Sequence, residues 1–239
     1  MILNSYLPIK AWLDSRTARL PGVQPVAIDG WLVRSDTFEA QMTYRHELVT
    51  KRRETVFQAM DVATEACHEL CNLLGEENAD DHPLINAALI VQEDLCILQK
   101  QGDRHILTAA VMCFPSSWDL HQKIGRSISA IHEPVPEFSP VTKSVERMLS
   151  AIRVDQPLGR ANFLIYTDPE LHQPRGEGIS KPIDPQAPRF IRVERQTFRR
   201  MPETGAVVFA IHTYVVPESS LTAEEHRVLA RLKPELIRS

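Results

Sequence analysis

The spacing of apolar residues changes several times along this chain, and each change predicts a different kind of structure. Residues 1–35 are rich in proline and tryptophan without a regular period, which predicts an irregular arm laid over a core. From Asp36, which can form a capping box with Glu39, helical spacing predicts a helix to about Met60. A second helical stretch follows directly and stops at Gly75. One short strand fits the arm, at 26–28 or 31–33.

Beyond residue 90 the pattern of apolar residues changes and predicts extended strands. Gly102-Asp103 and Pro202–Gly205 are turn sequences, and each lies between two apolar segments, which predicts two antiparallel hairpins. A further extended segment lies between the hairpins. The five predicted strands are Asp94–Lys100, His105–Phe114, Ala161–Tyr166, Phe190–Met201 and Ala206–Val216.

Helical spacing returns twice in the second half of the chain. Val141–Ile152 separates the second predicted strand from the third. Ser220–Leu232 follows the last strand, and Thr222 with Glu225 forms a capping box at its start. Residues 167–188 hold five of the 17 prolines and predict a long loop, a length that is usually functional or mobile.

The order of these elements predicts an α+β fold: a PAS-like five-stranded antiparallel sheet with helices inserted after its second strand. An N-terminal helical arm and a C-terminal helix complete it. We expect a single domain over 1–239, with the arm and first helices at 1–80, the PAS-like core at 90–216 and the last helix at 220–232. In this arrangement a ligand cavity lies between the sheet and the inserted helices.

The segment Cys113–Pro136 carries the first candidate for chemistry. Its apolar residues lead to His132, which stands just before a Pro-Val-Pro sequence that can fix its direction. A histidine held in this way suits an axial metal or haem ligand. The alternative is a partly buried histidine at a helix end, bonded to backbone, and from spacing alone that alternative is favoured.

Composition limits the class of protein. Of the 239 residues 43% are hydrophobic, enough for a sizeable core, and a formal charge of −4 argues against a nucleic-acid partner. The four cysteines do not resemble a disulfide framework, and neither a signal peptide nor a run of ~20 apolar residues is visible. We therefore expect a soluble, cytoplasmic protein without a membrane partner.

Several segments together resemble the family of haem-dependent oxidative N-demethylase-like proteins, formerly a domain of unknown function. The resemblance covers nearly the whole chain, and its specificity comes from the number and order of short matches. The matching segments are VQEDLCIL (91–98), CFPSSW with KIGR (113–126), AIHEPVP (130–136), GRANF (159–163) and RVERQTFRRMPETGAVVFAIHTYV (192–215).

The resemblance implies a PAS-like protein that carries haem b and oxidatively removes a methyl group from a small secondary amine, with O₂ consumed and formaldehyde released. In this context His132, in AIHEPVP, becomes the candidate proximal iron ligand, and ligation becomes the favoured interpretation. Lys123, Arg126 and Arg160 lie in matching segments and are candidate partners of the haem propionates. The alternative interpretation of each residue is an ordinary surface charge.

An amine oxidation also needs a group that binds the ammonium form and takes its proton, and a carboxylate does both. Glu194, in RVERQT, is the candidate, with Asn162 and Gln196 as orienting groups, and Glu146 on the preceding helix is the weaker alternative. The alternative for Glu194 is a salt bridge within the sheet. His212 stands where the resembling sequences commonly have arginine, so it either alters the cavity or is a second ligand candidate.

Members of the family can work beside flavin and iron–sulfur subunits. This chain has neither a GxGxxG motif nor a cysteine cluster, so a separate electron-transfer protein is implied if it is a full enzyme. Two other functions remain open: a haem-containing PAS-type sensor of gas or redox state, and a ligand-binding module without haem. A reducible Soret band separates the last from the other two.

Overall fold

The computed structural model describes residues 1–14, 16, 20–75, 81–116, 118–133, 138–177, 179 and 186–232. Within them one mixed sheet-and-helix unit is built on a single antiparallel sheet. Its strands are β1 (Gln24–Pro25), β2 (Phe57–Ala59), β3 (Asp94–Gln101), β4 (Arg104–Val111), β5 (Leu158–Tyr166), β6 (Phe190–Arg200) and β7 (Val207–Pro217). They lie in the order β1-β5-β6-β7-β3-β4-β2. The prediction of five strands was wrong in number: β3 to β7 lie near the predicted positions, and two short strands extend the edges.

Seven α-helices accompany the sheet in the described residues. They are α1 (Phe38–Lys51), α2 (Arg53–Val56), α3 (Thr64–Leu73), α4 (Pro83–Ala88), α5 (Ile128–Ile131), α6 (Thr142–Ala151) and α7 (Ala223–Leu232). The capping box predicted for the last helix is confirmed: the Thr222 amide donates to the Glu225 carboxylate over 2.8 Å, and the Glu225 amide donates to the Thr222 hydroxyl over 3.3 Å.

The first predicted helix was too long. It stops at Lys51, and after one further turn the chain becomes β2, because the exposed edge of β4 offers backbone partners to Phe57–Ala59. Tertiary pairing here overrides the helical spacing. The short strand of the arm is at Gln24–Pro25 rather than at either predicted position.

Asp36 is not the helix cap that its spacing with Glu39 suggested. Thr37 occupies the N-cap position without a side-chain cap bond. The Asp36 carboxylate instead accepts hydrogen bonds from the Ser5 amide and from the Asn4 side chain, both over 2.7 Å. These bonds lower its pKa, although desolvation by burial is the largest influence and acts in the opposite direction. Asp36 thus fastens the N-terminal arm to the start of α1.

The two faces of the sheet are covered by different parts of the chain. On β6 the even-numbered residues 192–198 lie on the face that α6 covers, here called the α6 face, because Phe198 belongs to the same apolar cluster as Leu149 of α6. The odd-numbered residues lie on the opposite face, here called the α1 face. The arm and α7 pack there against Ile191 and Val193, and α1 packs against the neighbouring strands. The candidate site lies on the α6 face.

Candidate functional site

A group of polar side chains crosses from β5 to β6 on the α6 face. The strand register pairs Arg160 with Gln196 and Asn162 with Glu194. Directly opposed residues of antiparallel strands project to the same face, so the four side chains form one cluster. Glu194 is 7% exposed and Gln196 is 9% exposed, whereas Arg160 and Asn162 are half-buried. Sequence reasoning named Glu194 and Asn162 together, and the register makes them direct neighbours.

Three donors approach the Glu194 carboxylate. Asn162 Nδ2 and Gln196 Nε2 each donate to Oε2 over 3.3 Å, and Arg192 Nε donates to Oε1 over 3.3 Å. A carboxylate offers about four acceptor positions, so one position remains for a further donor. Asn162 Oδ1 is buried and has no hydrogen-bond partner among the described residues. The cluster therefore has unmet acceptor capacity at two neighbouring side chains.

Arg192 is the residue of this site that sequence reasoning missed. It is 1% exposed, and besides Glu194 its guanidinium donates to the carbonyls of Leu171 and Phe114 and to the Thr213 hydroxyl. It thus joins the end of β4, the segment after β5, and β7 around the candidate carboxylate. The alternation of side chains along β6 could have predicted this contact, because Arg192 and Glu194 are two residues apart and therefore share a face.

Arg160 is the cation of the cluster that retains an unmet donor. Its Nη1 donates to Gln196 Oε1 over 2.9 Å, and its buried Nε has no partner among the described residues. Burial lowers the pKa of its guanidinium, and the nearby Glu194 charge acts in the opposite direction. A half-buried guanidinium whose Nε–H has no partner is suited to donate to a ligand carboxylate.

His132 lies at the C-terminal end of α5, on the same side of the sheet. Ser127 caps this short helix, because its hydroxyl accepts a hydrogen bond from the Ala130 amide. The His132 imidazole stacks on the Phe138 ring, with ring centroids 4.1 Å apart. Its Nδ1 is 2.9 Å from the Ile128 carbonyl, which only accepts, so Nδ1 carries the proton and Nε2 has a lone pair in the neutral ring. Pro134 and Pro136, expected to fix this histidine, lie outside the described residues.

The surroundings of His132 favour its neutral form. Burial is the main cause that lowers its pKa, and the charges of Lys123 and Arg160 add to this effect, while the bond to Ile128 opposes it. No described residue hydrogen-bonds to Nε2. His132 therefore has the features of both interpretations. Its Nδ1 is bonded to backbone at a helix end, as in a structural histidine, and its Nε2 is unprotonated, as in a metal ligand.

Lys123 and Arg126 lie next to this segment but already have a partner. Both contact the Glu177 carboxylate, Arg126 over 3.1 Å, and these bonds lower the pKa of Glu177. Lys123 also donates to the Ile131 carbonyl over 3.2 Å, and Arg126 donates to the Ala130 carbonyl over 2.8 Å. Glu177 was not foreseen, because the proline-rich segment around it has no periodic signal.

His212 is on the other face of the sheet from this cluster. It pairs with Arg195 in the register, so it projects to the α1 face, where it is fully buried with Nδ1 3.2 Å from the Glu93 carboxylate. The expectation that His212 alters the Glu194 cavity is therefore wrong, while its role as a second ligand candidate stays a prediction. The register of the β6–β7 hairpin decides this point.

The fold and the site together define an α+β protein whose antiparallel sheet presents a buried carboxylate, with a neutral imidazole on the same side. A sequence model of the family described as haem-dependent oxidative N-demethylase, alpha subunit-like, matches residues 72–237. This match covers more than half of the chain, and the chain belongs to that family. The family's description implies dependence on haem, an oxidative reaction and a partner subunit.

The residues present fit a haem. A single axial imidazole is sufficient to hold haem iron, so the lack of any cluster of three or more metal-binding side chains among the described residues is compatible with it. His132 Nε2 has the required lone pair, and Arg160 Nε–H can donate a hydrogen bond to a propionate carboxylate. Within the described part of the chain, no helix is both long and apolar enough to cross a membrane.

Proposed function

We propose that this protein is a haem-dependent oxidative N-demethylase that removes a methyl group from a small secondary amine with O₂ and releases formaldehyde. The observation that carries the proposal is His132, whose Nδ1 is bonded to the Ile128 carbonyl and whose Nε2 has no partner among the described residues. The family membership supports the same conclusion. In this reaction the amine loses two electrons and two protons to become an imine, and water hydrolyses the imine to formaldehyde and a primary amine. The two electrons from the amine and two from a partner protein, with four protons, reduce O₂ to two molecules of water.

The proposal includes a PAS-like core. The middle of the sheet has the order β5-β6-β7-β3-β4, and α5 and α6 follow its first hairpin in sequence, as the PAS-like arrangement requires. The chain 1–239 then forms one domain, with the core at 90–216, the N-terminal arm and helices at 1–80 and the last helix at 220–232. A haem would be held from α5 by His132 and from the α6 face of the sheet by Arg160.

His132 would hold haem b through Nε2. The haem, when bound, supplies the redox chemistry toward oxygen and the amine. The hydrogen bond from Nδ1 fixes the ring and its tautomer, which is the usual role of the second nitrogen of a ligating histidine. The lowered pKa keeps the ring unprotonated near neutral pH, and Phe138 fixes its plane by stacking.

Lys123, Arg126 and Arg160 would neutralise the haem propionates. Arg160 has a spare buried N–H for this purpose. Lys123 and Arg126 lie near His132 in the chain and share one carboxylate, Glu177, which supports their ability to bind an anionic group.

Glu194 and Asn162 would act on the substrate. The Glu194 carboxylate accepts an N–H of the ammonium ion and takes the proton that the nitrogen loses before oxidation. Asn162 holds Glu194 through its Nδ2 bond, and Arg192 holds the other carboxylate oxygen. The carboxylate is thus oriented before the amine binds, and its burial excludes water that would compete for the ammonium.

A partner must supply electrons. The alpha-subunit description of the family supports a partner subunit, and a separate flavin or iron–sulfur protein is our proposal for that role. None of the four cysteines forms a disulfide, which agrees with a cytoplasmic location. No part of the proposal requires nucleic acid or a membrane.

The experiment compares haem binding by His132→Ala and His172→Ala variants. His172 is a matched control, because its Nδ1 also contacts a backbone carbonyl, that of Cys113, over 2.8 Å. We expect a reducible Soret band in the unmodified protein, its loss in His132→Ala and its retention in His172→Ala. Full haem occupancy in His132→Ala contradicts the ligand assignment. Formaldehyde release from dimethylamine with O₂ and reductant then tests the activity, and its absence in the haem-loaded protein argues for a sensor.

A further inference from the structure

Asn162 has two functional ends, and only one of them is used within the protein. Its Nδ2 donates to Glu194 Oε2, whereas its Oδ1 is a buried acceptor without a donor among the described residues. Leaving a buried acceptor without a donor is costly, so the site favours a ligand that brings the missing N–H.

The neighbouring Glu194 carboxylate also has an acceptor position that no donor of the protein uses. Glu194 receives three N–H groups, from Asn162, Gln196 and Arg192, which leaves about one acceptor position. The site thus offers two unmet acceptors on adjacent side chains, one charged and one neutral. An ammonium ion with two N–H groups satisfies both.

We propose that Asn162 is the specificity-determining residue of the amine site, and that its Oδ1 accepts the second N–H of a secondary ammonium ion. This inference rests on the proposed function. A tertiary ammonium has one N–H, which Glu194 takes, and Asn162 Oδ1 stays unpaired. The site thus distinguishes a secondary from a tertiary ammonium ion by its second N–H.

The test uses two isomeric cations, N-ethylmethylammonium and trimethylammonium. They have the same atoms and charge but differ by one N–H, so size does not explain a difference in binding. Dissociation constants are measured by calorimetry on the full-length, haem-loaded protein. We expect the secondary ion to bind about tenfold tighter or better, the penalty for one unpaired buried acceptor.

Two variants isolate the Oδ1 atom. Asn162→Leu removes one donor to Glu194 Oε2 and also the unpaired acceptor. Gln196→Leu removes a donor to the same oxygen at the same distance of 3.3 Å but leaves Asn162 intact. We expect the affinity ratio between the two ions to fall to about one in Asn162→Leu and to persist in Gln196→Leu.

The outcomes separate the inference from the proposed function. A ratio that is unchanged in Asn162→Leu, or that falls equally in Gln196→Leu, overturns the role of Asn162 while Glu194-dependent binding of amines stands. Failure of the unmodified protein to bind either ion, or equal binding by Glu194→Gln, overturns the amine site itself and the inference with it.

Discussion

Replacing Arg192 with methionine tests how the candidate carboxylate is held. The guanidinium is 1% exposed and donates to Glu194 and to the carbonyls of Phe114 and Leu171, which are themselves buried. Removing one member of a buried ion pair costs about 3–5 kcal/mol, and each abandoned buried carbonyl costs about 1–3 kcal/mol. Because relaxation makes these terms less than additive, we expect a loss on the order of 5 kcal/mol. That is a large part of the roughly 5–15 kcal/mol that stabilises a domain.

Urea unfolding followed by tryptophan fluorescence measures this loss. The control is Arg199→Met on the same strand, since Arg199 lies over the Trp31 ring at 4.9 Å and its loss costs about 1 kcal/mol. In a second step Glu194→Leu is added to Arg192→Met. We expect partial recovery of stability, by about 1–2 kcal/mol, because the unpaired carboxylate is gone. A loss below about 1 kcal/mol in Arg192→Met, or no recovery in the double variant, refutes this account.

Two further predictions concern backbone space and pH. A Cβ on Gly159 would lie 2.6 Å from the Val26 side chain, so Gly159→Ala should lower the free energy of unfolding by about 1–3 kcal/mol. The control is Gly30→Ala, which should cost less because the nearest neighbour of its Cβ is at 3.8 Å. Equal urea midpoints for the two variants contradict this prediction. Burial lowers the pKa of His132, so its contribution to stability is full above about pH 6.5 and is lost as pH falls through the lower folded pKa. In His132→Gln apoprotein, the free energy of unfolding should therefore change less between pH 7.5 and 5, and an unaltered slope counts against the lowered pKa.

The sequence predicted the extended elements well because their signals are local. Turn residues at Gly102 and Gly205, each with positive φ, lie between apolar segments, and both hairpins formed where these residues indicated. The capping box of Thr222 and Glu225 formed for the same reason, since its partners are three residues apart. Asp36 failed as a cap because the arm brought Asn4 and Ser5 to its carboxylate from more than 30 residues away.

Most side chains of the Glu194 cluster were named from the sequence, but most of the contacts of the candidate residues were not. Lys123 and Arg126 were expected as partners of the haem propionates, and both also contact Glu177 from a distant segment, so that two cations share one carboxylate. No periodic or motif signal marks such a contact, because it depends on where a loop between two strands returns. Arg192 was overlooked for a different reason. Its sequence position does not indicate that all three guanidinium nitrogens donate hydrogen bonds to buried groups of the protein.

The chemistry of the α6 face depends on the register of one hairpin. In the observed register Glu194 opposes Thr213 and Arg195 opposes His212, so the histidine faces away from the candidate carboxylate. The connection between Arg200 and Val207 sets this register, and positive φ at Gly205 permits its shape. A one-residue slip that paired Glu194 with His212 would reverse the faces of β7 relative to β6 and bring the imidazole beside the carboxylate. The register of this hairpin therefore keeps the His212 imidazole out of the Glu194 cluster, whereas His132 reaches the α6 side of the sheet from α5.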